Sequence, residues 1–107
     1  MSCQEIVVEA VTKQEPGRVF LQVIQPTGVD LQFIYRAALS IYWDPVETEL
    51  QDRYQAESSP LASAGRIART VREEYGMSLA PSPHLRYSGF DEATRARVAE
   101  ALFPAPS

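Results

Sequence analysis

The side chains in this chain best suited to chemistry lie in three short stretches. The first is an acidic segment with Asp44, Glu47, Glu49 and Asp52. On a helix, Asp44 and Glu47 share a face and Glu49 and Asp52 form a second pair, and paired carboxylates can hold a divalent cation or share general acid–base work. The segment lacks the alternating Asp/Asn ligands and central Gly of a calcium loop, however. Its simpler reading is a charged surface, and its more specific one a docking site for a basic partner. Tyr42, Trp43 and Tyr54 lie in or beside it, and large rigid aromatics with a polar tip are enriched where proteins bind one another.

The second stretch is the ridge Arg66, Arg69 and Arg72, spaced by three. Guanidinium forks at this spacing suit phosphate or carboxylate. No glycine-rich loop accompanies them, and Arg69 precedes Glu73 by four, an ordinary pairing on a helix surface. The third is Pro83-His84-Leu85-Arg86-Tyr87, which holds the only histidine. One histidine excludes a two-histidine metal site, and the nearby Ser82, Ser88, Tyr87 and Asp91 do not match a nucleophile–base spacing. The lone Cys3 has no local positive charge to activate a thiolate and no internal disulfide partner. No Walker loop or dinucleotide fingerprint occurs, so no residue pattern calls for a cofactor or metal.

The elements that must position these groups follow from periodicity. Residues 5–12 and 18–25 read as strands, with Pro16-Gly17 as the turn between them. From Leu31 to Trp43 every second residue is apolar or aromatic, which predicts one long third strand with Phe33, Tyr35 and Trp43 on the core side and Tyr42 on the other. Pro45 ends it. Val46, Leu50 and Tyr54 recur at four and predict a short helix within 46–56.

Ser59-Pro60 reads as a helix N-cap with Pro at the first position. Leu61, Ala64, Ile67, Ala68, Val71 and Tyr75 make an apolar stripe, and Gly76 closes a helix over 60–75. Residues 77–83, with Pro81 and Pro83, read as a linker, and 84–88 as a short edge strand. Asp91 caps a last helix over 92–102, which packs through Val98, Ala99 and Leu102. The expected fold is a single α+β domain over 1–107. It has a three- or four-stranded, mainly antiparallel sheet, beginning as a β-meander, with two C-terminal helices on one face.

Composition narrows the function classes. The chain of 107 residues carries a formal net charge of -4 and a pI near 4.9. Residues 42–58 hold Asp44, Glu47, Glu49, Asp52 and Glu57 against Arg53 alone, so the rest is neutral in sum. An acidic chain is a poor ligand for nucleic acid or an anionic membrane. No apolar run approaches the ~20 residues that span a bilayer, and MSCQEIVVEA has neither a basic start nor a long apolar stretch. These features predict a cytoplasmic protein.

The reading that results is a small interaction protein of bacterial type rather than an enzyme. It docks a basic or amphipathic protein through Tyr42, Asp44, Glu47, Glu49, Asp52 and Tyr54, as an immunity or antitoxin protein docks a basic toxin. A different class, a small-ligand domain or minor enzyme, would use a pocket between sheet and helices lined by Tyr35, Trp43, His84 and Arg86. A homodimer through an exposed strand edge is a third arrangement.

Overall fold

In a computed structural model, residues 5–14, 18–24, 28–36, 40–53 and 59–103 are described. Strands β1 (Glu5–Gln14) and β2 (Arg18–Ile24) come first, followed by a 3-10 helix, Leu31–Arg36. Strands β3 (Ile41–Asp44) and β4 (Glu49–Asp52) form a hairpin. Helix α1 (Pro60–Tyr75), strand β5 (Ser78–Ser88) and helix α2 (Glu92–Leu102) complete the order. The α+β class holds. The sheet differs from expectation, because it has five strands in the order β3-β4-β2-β1-β5 and is mixed. β5 runs parallel to β1, and the other neighbouring pairs are antiparallel.

The mixed sheet has a topological cause. Parallel neighbours need a crossover. Here α1 leaves β4 near one edge, packs on β4 and β2, and delivers β5 to the far edge beside β1. One helix therefore precedes the last strand, and the two helices do not both follow the sheet. Residues 78–88, expected to be a linker and a short edge strand, are one edge strand with an irregularity. Val8 pairs with Pro81 and Ala10 with Arg86, so Glu9 faces a four-residue excursion, Ser82–Leu85. Within it the His84 N–H donates to Ser82 Oγ at 3.1 Å. Against β2, Glu9 is the extra residue of a bulge. That bulge changes the parity of β1, so Ile6, Val8 and Val11 all lie in the core.

The 31–43 strand is not formed. Asp30 opens the 3-10 helix instead. One of its carboxylate oxygens accepts from the Gln32 N–H at 3.1 Å, and the other from the Gln32 side chain at 2.8 Å. Leu31 and Ile34, three apart, are then buried together. Alternation survives only in β3, where Ile41 and Trp43 are buried and Tyr42 is exposed. The short helix expected in 46–56 is also absent from the described part. Asp44 Oδ1 accepts from the Val46 and Glu47 N–H groups at 2.9 and 3.2 Å, a turn that leads into β4.

Both helices form as the caps predict. Ser59 Oγ accepts from the Ala62 N–H at 3.1 Å, and Gly76 takes a left-handed φ of 66° while its N–H donates to the Arg72 carbonyl. Asp91 accepts from the Thr94 N–H at 2.7 Å. The helices cover one face of the sheet. Val19, Leu21 and Val23 of β2 and Leu50 of β4 meet Ala64, Ile67 and Val71 of α1, while Val98 and Leu102 of α2 complete the core. No described helix lies over the opposite face.

Candidate protein-docking face

Strand parity and register determine what the uncovered face presents. Leu50 and Asp52 of β4 point toward the helices, so Glu49 and Gln51 point away. Tyr42 pairs with Gln51, Gln51 with Phe20, Phe20 with Thr12, and Thr12 with Ser88, one row across all five strands. The adjacent row is Asp44, Glu49, Gln22, Ala10 and Arg86. A partial third row holds Ile24, Val7 and Ala80. Tyr42 is 42% exposed and Ile24 52%, while Val7, Ala10, Phe20 and Gln22 are half-buried. The centre of this face is thus largely apolar. Acidic groups lie toward the β3–β4 edge and Arg86 lies at the β5 edge.

The acidic edge is organised by hydrogen bonds. The Gln51 amide nitrogen donates to Glu49 Oε1 at 3.0 Å and approaches Asp44 Oδ2 at 3.5 Å. Its carbonyl oxygen accepts from Arg53 Nε and Nη2 at 3.1 and 2.9 Å. The Arg53 guanidinium lies 3.8 Å from the centre of the Tyr42 ring. The buried Gln51 thereby holds Glu49 and, through Arg53, Tyr42 on one surface, which lowers the entropy lost when a partner orders them. Glu47 and the 86%-exposed Val46 project from the turn.

Asp52 is a correction to the expected docking set. It lies on the helix-covered face with no exposed surface. Ser63 Oγ donates to its carboxylate at 2.5 Å and Arg66 Nη2 at 2.5 Å. The arginine ridge is divided by the same contact, because Arg66 turns inward while Arg69 and Arg72 stay exposed. Asp44, Glu47, Glu49 and Tyr42 remain together at the hairpin. Tyr54 lies outside the described residues.

The expected ligand pocket is not assembled. Trp43 is on β3, while His84 and Arg86 are on β5 at the opposite edge. Four inter-strand steps separate them, roughly 19 Å at about 4.8 Å per step. Trp43 is also buried on the helix side, whereas Arg86 belongs to the uncovered face. Tyr35 falls in the 3-10 helix, and its side chain is not among those described. A groove of about 300 Å³ does lie beside β3, lined by Gln32, Ile41, Tyr42, Trp43 and Pro45. It brings no nucleophile–base pair together. Among the described residues no three His, Cys, Asp or Glu side chains cluster as metal ligands, and no helix is long and apolar enough to cross a membrane.

Alternation sets Phe20, Gln22 and Ile24 on one side of their strand and puts Gln22 with Tyr42 on the uncovered face, but sequence reasoning missed Arg86 as part of that face. Alternation in residues 18–25 was visible, but the order of strands beside it was not. The perturbed titratable groups lie elsewhere. Burial, reinforced by Glu74 and Asp30, pushes the Tyr75 hydroxyl up to about 12, and burial also raises Tyr87. Hydrogen bonds from Thr94 hold Asp91 below the usual carboxylate range, as suits a helix cap. Comparison with protein-family models, curated proteins and solved structures finds no match for this chain.

Proposed function

We propose that this chain is a protein-docking domain that binds through its uncovered sheet face and the β3–β4 hairpin. The observation that carries the reading is one row of the sheet. Asp44 and Glu49 sit side by side there, next to the exposed Tyr42 and the exposed Glu47, at the rim of a centre formed by Phe20, Ala10, Val7 and Ile24. An apolar centre with a charged rim is the usual anatomy of a protein interface. The sign of the rim selects a partner with basic groups, through faster encounter and rejection of acidic surfaces. A basic toxin, as an immunity-like protein would meet, or any other cationic protein surface, has that chemistry.

A photoreactive phenylalanine analogue in place of Tyr42, in cells that make the protein, tests the reading. Ala93, exposed on α2, is the control position. The expected result is a crosslinked product from position 42, absent from position 93 and lost when Glu47→Lys and Glu49→Lys are added. These two substitutions leave the Asp44 turn and the buried Asp52 intact. Equal crosslinking from both positions, or none from position 42, would remove the support for a docking face.

A further inference from the structure

We infer that the partner of the uncovered face is a second copy of this chain, packed face to face about a two-fold axis that runs along β2. The inference rests on the reading of that face as a docking surface but puts a second copy in place of a foreign basic protein, with the second copy's Arg86 as the basic group that meets the acidic rim.

The argument comes from symmetry. The sheet order places β2 in the middle, with two strands on either side. A two-fold axis lying between two sheets, parallel to the strands and over β2, sends β3 onto β5 of the second copy and β4 onto β1. Each in-register row then meets itself reversed. In the row Asp44, Glu49, Gln22, Ala10, Arg86, Asp44 comes to face the second copy's Arg86, and Arg86 faces its Asp44. Gln22 meets Gln22, and its amide can both donate and accept across the axis. In the next row Tyr42 faces Ser88, and Phe20 meets Phe20. Ile24 meets Ile24 in the third.

An isologous interface requires such self-complementarity, in which a residue and its opposite number exchange places. Asp44 and Arg86, at the two ends of one row, satisfy it, while Glu49 comes to face the small Ala10 of the second copy. Aligned sheets pack about 10 Å apart, a gap that an arginine and a short carboxylate can close from opposite sides. The apolar residues nearest the axis bury each other in the same packing. Ile24, half of whose surface is exposed in the single chain, is covered by its own counterpart.

The test is sedimentation of the purified full chain over a range of concentrations. The expected result is a reversible change from a species of 11.9 kDa to one of twice that mass. Ile24→Arg places two like charges together at the axis, and should weaken association by about tenfold or more. Arg86→Glu sets Glu against Asp44 and should weaken it further at low salt than at high salt. Circular dichroism of each variant establishes that the fold is kept, and the substitution at the exposed Arg86 is the one least able to disturb it.

A wild-type chain that stays monomeric at every concentration overturns the inference, as does a dimer that neither substitution weakens. The Tyr42 crosslink separates this from failure of the docking reading. Crosslinking to a different protein in cells, with a monomer in purified form, removes the second copy and leaves the docking face. An absence of crosslinking in both settings removes both.

Discussion

Ser63 Oγ lies 2.5 Å from the Asp52 carboxylate and 2.8 Å from the backbone nitrogen of Val19. One hydroxyl thus accepts from β2, donates to β4 and fixes the first turns of α1 above them. Arg66, one helical turn on, donates to the same carboxylate oxygen. The group is buried, and its value lies in every member keeping its partners. Asp52→Ala should destabilise the fold by about 3–5 kcal/mol, because Arg66 and Ser63 lose their shared acceptor. Ser63→Ala should cost about 1–3 kcal/mol. The double variant should lose less than the sum in urea unfolding, and strict additivity would mean that the three groups do not act together.

Tyr75 donates its hydroxyl to the Asp30 carbonyl at 2.7 Å, tying the end of α1 to the start of the 3-10 helix. Its pKa is raised from 10.0 to about 12, with burial as the main cause. The folded state therefore keeps this proton at pH values where the unfolded chain has lost it. The resulting stabilisation is complete below about pH 10 and is lost as pH rises through 12. Alkaline unfolding midpoints should fall over that window in the wild type and less steeply in Tyr75→Phe. Identical slopes for the two proteins would count against the assignment.

Thr48 ends the hairpin turn with a left-handed φ of 51°, an unfavourable conformation for a β-branched residue. It is exposed, and its hydroxyl reaches only the neighbouring Glu47 carbonyl, at 2.7 Å. Thr48→Gly should stabilise the protein by roughly 0.5–1 kcal/mol by relieving this strain. A higher thermal midpoint with unchanged circular dichroism is the expected readout. A lower midpoint would indicate that the hydroxyl contact outweighs the backbone strain.

Gly89 joins β5 to α2 with a φ of 85°, and a Cβ there would stand 3.1 Å from Lys13 Cβ and 3.3 Å from the Lys13 carbonyl oxygen. Gly89→Ala meets both the backbone penalty and β1 itself. It should destabilise by more than about 1 kcal/mol. Gly76→Ala, with nothing within 4 Å of the added Cβ, faces the backbone penalty alone and should cost less. Equal losses in denaturant unfolding would show the Lys13 contact to be harmless.

Local chemistry made both α-helices legible. Ser59-Pro60 and Gly76 bracket α1, and Asp91 starts α2, because unpaired N–H and C=O groups at helix ends select the same few residues in most contexts. β1 and β2 were legible for a similar reason. The alternation from Leu31 onward predicts a strand, but the same segment also holds Leu31 and Ile34 three apart, the spacing of a tight helical turn. Asp30, bound to the Gln32 N–H, decides between the two. In the segment after Trp43, the helical spacing of Val46, Leu50 and Tyr54 gives way to a turn closed by Asp44, because Leu50 gains a buried place opposite Leu21 and Trp43.

The candidate site divides along the same line. Tyr42, Asp44, Glu47 and Glu49 are close in sequence and stay close in space, since a hairpin keeps neighbours together. The sequence alone determined the α+β class, the two capped helices, the first two strands and the acidic character of residues 42–52, all of which depend on interactions over a few residues. Only the tertiary structure decided the strand order, the parallel place of β5, the burial of Asp52 beneath Ser63 and Arg66, and the row that runs from Asp44 to Arg86. Those depend on contacts between residues from 11 to more than 70 positions apart, whose register a local pattern does not encode.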